Sequence, residues 1–315
     1  MLAIVAPGQG AQTPGFLTPW LEDAQFASRL KELSEVVGID LVHYGTQADA
    51  ETIRDTAIAQ PLLVAAGLLA AEALTGPEVP FAGADVAAGH SVGEITAAAG
   101  VGVLSSADAM VFVRERAQGM AEASALTPTT MAAVLRGEPD EVLAAIEAVG
   151  ATAANNNGKG QVVAAGTVEQ IEALKANPPA KARIIPLSVA GAFHTHHMEP
   201  GRRRVAAAAS GMTAHDPAIT LLSNRDGQAV ASGAEYVERL IAQVTSPVRW
   251  DLCLQALADL GVTGLLELPP AGTLTGIAKR NLAGIEVFNL NTPDQLDDAR
   301  EFCAKHSSTD QTQEA

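Results

Sequence analysis

Short apolar runs ending in glycine or a polar residue recur at Leu2 to Ala6, Asp85 to Gly89, Ile219 to Leu222, Gly264 to Leu268 and Ile285 to Leu290. Between them lie longer stretches with apolar residues at helical spacing, among them Leu21 to Val37, Gln60 to Leu74, Ala107 to Ala123, Ala234 to Val244 and Trp250 to Leu260. A short uninterrupted apolar run suits a strand buried on both faces, and an apolar position every third or fourth residue suits a helix laid on a sheet. Their alternation predicts an α/β fold with a mostly parallel sheet and helices on both faces.

From Thr130 to Val189 the rhythm changes. The order is strand Met131 to Arg136, helix Asp140 to Val149, strand Ala151 to Asn155, strand Gln161 to Ala165, helix Val168 to Ala176 and strand Arg183 to Val189. This βαββαβ order is the ferredoxin-like pattern. It predicts a small domain, 128–191, inserted into a large α/β-hydrolase-like domain formed by 1–127 and 192–315. The crossings fall at Leu126-Thr127-Pro128 and Gly191-Ala192, and the cleft between the two domains is the natural ligand site. Beyond Asp297 the tail, ending Ser307-Ser308-Thr309-Asp310-Gln311, is polar and expected to fray.

With 315 residues, 48% of them hydrophobic, the chain can bury a large core. Its 20 Lys and Arg against 36 Asp and Glu give a formal charge of -16, which excludes a general nucleic-acid binder, so an acidic partner has to dock on a local basic patch. Cys253 and Cys303 stand far apart without CxxC spacing, so neither a disulfide framework nor a thiolate metal site is indicated. The opening apolar run lacks a basic leader and is cut by Pro7 and Gly8, as a first strand would be. The apolar stretch Leu62 to Leu74 is shorter than the about 20 residues a membrane span takes, and it contains Glu72. The expectation is a soluble, cytoplasmic, monomeric protein with no membrane segment.

The most specific local signal is Gly89-His90-Ser91-Val92-Gly93-Glu94, a G-x-S-x-G element directly after a strand run and before the small-residue helix Ile95 to Gly100. That is the context of a nucleophile elbow, where a tight turn projects a serine at a helix N-terminus and small residues relieve the crowding on either side. The alternative is a glycine-rich turn whose serine merely caps the helix. A serine nucleophile needs a base. His194, His196 and His197, in Phe193-His194-Thr195-His196-His197, are the candidates, though a His-x-His-His run is also compatible with a metal site. His90 should point away from the serine oxygen, and His43, His215 and His306 are expected at the surface. Pro7-Gly8-Gln9-Gly10 has Thr13 where a dinucleotide loop needs its third glycine, and Gly158-Lys159-Gly160 lacks the Ser or Thr of a phosphate loop. A Gly-Gln-Gly turn can instead aim the Gln9 backbone N–H at an oxyanion. Arg116 falls on the apolar stripe of Val113, Ala117 and Met120, so it faces inward and needs an anion, either a protein carboxylate or a ligand.

Several ordered motifs resemble the malonyl-CoA:acyl carrier protein transacylases over almost the whole chain. They are Pro7-Gly8-Gln9-Gly10-Ala11-Gln12, Ala59-Gln60-Pro61, the Ser91 elbow, the Arg116 helix, Asn155-Asn156-Asn157 before Gly160-Gln161-Val162-Val163, and Ala192-Phe193-His194. Ser246-Pro247-Val248-Arg249-Trp250 and Glu267-Leu268-Pro269-Pro270 follow. The resemblance implies Ser91 as nucleophile, His194 as its general base and acid, and the backbone N–H groups of Gln9 and Val92 as the oxyanion hole. A main-chain carbonyl orients the histidine in this family, and by spacing from the Pro-Val-x-Trp motif it falls to Gln243. Gln60, Asn155 and Asn157 would line the site. Arg116 would hold the malonyl carboxylate in a bidentate pair, so acetyl would leave the arginine unpaired. Phe193 would crowd the C2 methyl of methylmalonyl. Gly191 stands where synthase-module signatures usually carry His.

The implied reaction is ping-pong. Malonyl passes from malonyl-CoA to Ser91 and then to the phosphopantetheine thiol of an acyl carrier protein, supplying extender units for fatty acid or polyketide synthesis without a metal or redox cofactor. The carrier is expected to be acidic, and Arg202, Arg203, Arg204, Lys279 and Arg280 are the candidate docking cations. Two rivals stand beside this reading: a serine hydrolase, which calls for an acid beside the histidine, and a non-catalytic scaffold, which needs neither Ser91 nor His194.

Overall fold

All five residues of strand β1, Leu2–Ala6, are buried, which is why this run is continuously apolar rather than alternating. The structure is a computed structural model, and it describes residues 1–189 and 191–308. The other strands are β2 (Val86–Gly89), β3 (Thr129–Leu135), β4 (Thr152–Asn156), β5 (Gln161–Thr167), β6 (Arg183–Pro186), β7 (Thr220–Leu221), β8 (Val248–Arg249), β9 (Gly264–Glu267) and β10 (Glu286–Asn289).

The larger sheet has the order β10-β9-β1-β2-β7, with every neighbouring pair parallel. Parallel neighbours require crossovers, and helices such as Thr56–Thr75 between β1 and β2 and Thr273–Asn281 between β9 and β10 provide them. Helix Thr56–Thr75 is apolar around its circumference, with Leu62, Val64, Leu68 and Ala70 all buried. At 20 residues it is long and apolar enough to cross a membrane, which corrects the length inferred from Leu62 to Leu74 alone. It lies inside the protein instead, 78% of its most apolar window being buried.

The second sheet has the order β6-β3-β5-β4-β8. Pairs β3–β5, β3–β6 and β4–β5 are antiparallel, and helices Pro139–Ala148 and Val168–Ala176 complete a βαββαβ unit. The fifth strand does not come from this unit. Strand β8, from the Ser246-Pro247-Val248-Arg249-Trp250 motif, pairs parallel to β4 in the register Asn155↔Val248. Two residues are too few to produce a readable apolar pattern, so this tie between the two halves is absent from the sequence reading.

Helices Leu41–Thr46, Glu199–Ala209, Thr273–Asn281 and Leu296–His306 were likewise not marked by the apolar pattern. The last corrects the expectation of a frayed tail after Asp297: Leu296, Ala299 and His306 are buried, and Ser308 bonds to Asp85. Residues 309–311 of that tail lie outside the described residues. His306 is therefore not a surface group; its ring meets the Thr263 hydroxyl at 2.9 Å. His43 and His215 are exposed.

Candidate active site

Strand β2 ends at Gly89 and helix Gly93–Gly100 begins after a turn of three residues, so the backbone must reverse in very little space. A Cβ on Gly89 would lie 2.0 Å from the Gly93 carbonyl carbon, and one on Gly93 would lie 2.2 Å from the Ala6 oxygen. The turn therefore demands glycine at both flanks, which is the physical content of the G-x-S-x-G spacing. Ser91 has φ 55, a left-handed conformation that costs a side-chain-bearing residue about 1–3 kcal/mol and persists only where its surroundings enforce it. Asn224, fully buried, does so: the Ser91 N–H donates to its Oδ1 at 2.8 Å, and its Nδ2 donates to the Gly89 carbonyl at 2.7 Å. No local pattern marks Asn224, which stands in an ordinary polar turn.

The helix N-cap is Val92, without a side-chain cap, so the Ser91 hydroxyl is not used in capping. Its Oγ lies 2.7 Å from His194 Nε2. His194 is buried with φ 60, and its Nδ1 lies 2.9 Å from the Gln243 main-chain oxygen. That carbonyl can only accept, so Nδ1 carries the proton and Nε2 is left to accept from Ser91. Burial, then the Arg116 charge, push the His194 pKa down to about 3, against the pull of the Gln243 carbonyl. The imidazole is thus neutral at physiological pH.

His196 is exposed, and its ring stacks on that of His197 at 4.2 Å, apart from the Ser91 contact. Among the described residues no group of His, Cys, Asp or Glu is arranged to hold a metal ion. His90 Nε2 meets Asn157 Oδ1 at 2.8 Å, so that ring is turned to the loop after β4 and not to the serine. Burial lowers its pKa.

Arg116 is 1% exposed, and no carboxylate among the described residues makes an ion pair with it. Its Nη1 donates to Gln60 Oε1 at 2.5 Å, and its Nη2 donates to Gln243 Oε1 at 2.8 Å and to Ser91 Oγ at 3.2 Å. Burial brings its pKa down to about 10 while the charge of Glu94 opposes the shift, so it stays protonated. The protein-carboxylate alternative is therefore not realised, and a buried cation sits on the Ser91 oxygen. Gln243 contributes its side chain as well as its carbonyl, a role the spacing did not suggest.

These groups surround one cavity of about 200 Å³ between the two sheets. Ser91, His194, Arg116, Gln60 and Phe193 reach it from the large-sheet side, and Asn155 and Asn157 from β4 and its loop. Gln9 and Val92 also line it, and neither backbone N–H donates to a protein acceptor among the described residues. A Cβ on Gly191 would meet Ser124 Oγ at 2.1 Å, so a histidine there has no room while Ser124 stays in place.

Of the candidate docking cations, Arg202 pairs with Glu199, and Arg204 is held by Glu115, Glu122 and Gln118. Arg203, Lys279 and Arg280 are exposed, the last two on the helix whose Thr273, Leu274 and Ile277 line the cavity.

The acyl transferase domain family matches residues 4–311. The malonyl CoA-acyl carrier protein transacylase of Mycobacterium tuberculosis is 49% identical over 299 residues, 95% of this chain and 99% of the relative. That of Mycolicibacterium smegmatis is 51% identical, over 89% of this chain and 98% of its own. The crystal structure of MCAT from Mycobacterium tuberculosis superposes with a TM-score of 0.92 at 48% identity, covering 95% of this chain and 99% of that one. With an elbow serine, a neutral histidine and a buried arginine converging on one oxygen, and with this breadth of similarity, the chain belongs to the acyl transferase domain family and, within it, to the malonyl CoA-acyl carrier protein transacylases.

Proposed function

We propose that this acyltransferase moves malonyl from malonyl-CoA to the phosphopantetheine thiol of holo acyl carrier protein, for fatty acid synthesis, through a malonyl ester on Ser91. The observation that carries the reading is the Ser91 Oγ to His194 Nε2 contact of 2.7 Å with the Arg116 guanidinium at the same oxygen. In the first half-reaction His194 Nε2 takes the Ser91 proton and Oγ attacks the thioester carbon. The Gln9 and Val92 N–H groups hold the oxyanion, the C–S bond breaks, and coenzyme A leaves with the proton. In the second, the carrier thiol gives its proton to His194, sulfur attacks the ester carbon, and Ser91 recovers the proton.

Arg116 would take the malonyl carboxylate on its fork, with Gln60 beside it. A carboxylate there also offsets the positive charge that depresses His194, so the matching donor strengthens the base that must act on it. Phe193 narrows the space beside C2, and Asn155 and Asn157 line the opposite wall. The carbonyl of Gln243, not a carboxylate, orients His194, which favours transfer over the triad arrangement of a serine hydrolase. The reaction needs no metal or redox cofactor, and the protein is read as a cytoplasmic monomer with 128–191 as a unit inserted between 1–127 and 192–315.

Intact-protein mass after brief mixing with malonyl-CoA tests the reading. Wild type gains one malonyl group and passes it to holo carrier protein, while Ser91→Ala gains none. Loss of the group to water with none on the carrier would instead mean a hydrolase. For docking of the acidic carrier, Lys279 and Arg280, exposed on the helix whose Leu274 and Ile277 line the cavity, fit best, and Lys279→Glu should slow the second half-reaction more than the first.

A further inference from the structure

Glu94 closes the elbow motif and has no part in the chemistry above, yet it is a carboxyl group 1% exposed in the helix that starts at the nucleophile. Both its oxygens are engaged. Oε1 accepts from the Asn224 backbone N–H at 2.6 Å and from the Tyr236 hydroxyl at 3.3 Å, and Oε2 accepts from Gln243 Nε2. The Gln243 amide is fully used in turn: Nε2 also donates to the Ser91 carbonyl at 3.1 Å, and Oε1 accepts from Arg116 Nη2 at 2.8 Å. The same residue's main-chain oxygen accepts from His194 Nδ1.

An ionised carboxylate only accepts, so it fixes which end of the Gln243 amide faces it. The NH2 turns to Glu94 and the oxygen is left for the guanidinium. A protonated carboxyl can itself donate and so stops demanding the NH2, leaving only the Ser91 carbonyl and Arg116 to orient the amide. Charge gives the second reason. A buried guanidinium needs a negative partner, but a carboxylate bound directly to it would occupy the fork that a substrate carboxylate requires. Glu94 lies one amide away, close enough to compensate the charge and too far to fill the fork.

We propose that Glu94 is a positioning residue for acyl transfer: acting through Gln243, it offsets the Arg116 charge without setting a carboxylate on the guanidinium, and it keeps the Gln243 carbonyl seated on His194. The proposal rests on the roles of Ser91, His194 and Arg116 given above. The groups that act on Glu94 come from three helices: Arg116 from Ser106–Leu126, Tyr236 from Gly233–Gln243 and Cys253 from Trp250–Asp259. Tyr236 and Cys253 stay protonated, both raised chiefly by burial and further by Glu94. Burial pushes Glu94 up to about 7 against the hydrogen bonds it accepts and the Arg116 charge. Loss of the Glu94 charge, and with it of its hold on Gln243, therefore falls within a range where His194 remains neutral.

Rapid-quench mass spectrometry of Ser91 acylation by malonyl-CoA, from about pH 5.5 to 8.5, tests this on wild type, Glu94→Gln and Glu94→Asp. The wild-type rate should fall about fivefold or more toward acid, with a midpoint near 7. Glu94→Gln should be about tenfold lower in kcat/KM at the alkaline end, with the acid limb gone. Glu94→Asp should regain part of both. A Glu94→Gln protein with the wild-type rate, or one that keeps the acid limb, overturns the proposal. So does a flat wild-type profile, which needs no variant to fold. Failure of wild type to acylate Ser91 at all would instead overturn the reading on which the proposal rests.

Discussion

Replacing Asn224 by alanine should show how far the placement of Ser91, the proposed nucleophile, depends on a residue with no role in the proposed chemistry. Its side chain is fully buried and bonds to both sides of the elbow, accepting from the Ser91 N–H and donating to the Gly89 carbonyl. Alanine would leave both backbone groups unpaired in a site largely closed to water, at about 1–3 kcal/mol each. The sum is about 2–6 kcal/mol, with some relief if Ser91 leaves its left-handed conformation. That relief would be lost to catalysis: Oγ sits 2.7 Å from His194 Nε2, and a displacement of about 1 Å can cost about a hundredfold in rate. Urea titration and rapid-quench acylation of the same preparations separate the two effects. Asn224→Asp, which keeps the acceptor but sets a carboxylate against the Gly89 carbonyl, should be no better than alanine. A stability loss below about 1 kcal/mol with acylation within about twofold of wild type would refute the reasoning. It would mean that the close packing of Gly89 on Gly93 holds Ser91 unaided.

Arg116→Lys keeps the charge but not the fork, so Gln60 and Gln243 lose partners; kcat/KM for malonyl-CoA should fall about a hundredfold and the preference over acetyl-CoA should shrink, as competition between the two donors will show. Glu267 is buried and accepts from the N–H groups of Gly272, Leu274 and Thr275, each at 2.9 Å, in place of a cap that Gly272 cannot supply. Glu267→Ala should cost about 2–4 kcal/mol in urea titration and raise KM, because the helix it caps carries Leu274 and Ile277 to the cavity. Folded His194 resists protonation down to about 3, while the unfolded chain takes up that proton below 6.5, so this group's contribution is intact above 6.5 and is lost as pH falls toward 3. Glu94 acts in the opposite sense, gaining stability as pH falls from about 7 toward 4.5. Comparing His194→Ala with wild type isolates the first effect: the variant should lose about 3 kcal/mol less stability between pH 7 and 4.5. Parallel curves would refute the assignment of a buried neutral imidazole.

The sequence alone determined what local pattern can encode. Runs such as Leu2 to Ala6 and stripes such as Val113, Arg116, Ala117 and Met120 carry strand and helix periods within themselves, and the crowding of the Ser91 turn is written in the two glycines that flank it. An arginine on an inward stripe was equally legible, because burying its charge has consequences wherever the helix packs. Strand β8 was not legible, since two residues have no period, nor was the closing helix Leu296–His306, whose charged face hid a narrow buried edge. The choice of His194 over His196 and His197 came from family resemblance, and the residues themselves left it open. Tertiary structure decided it, because Ser91 and His194 are 103 positions apart and only packing sets their separation. The same holds for Asn224 behind the elbow, Glu267 capping a distant helix, and the Gln243 side chain between Glu94 and Arg116. Each is a polar residue in an unremarkable local setting whose partners are assigned by burial, since a buried donor or acceptor must be satisfied by whatever the fold brings within reach.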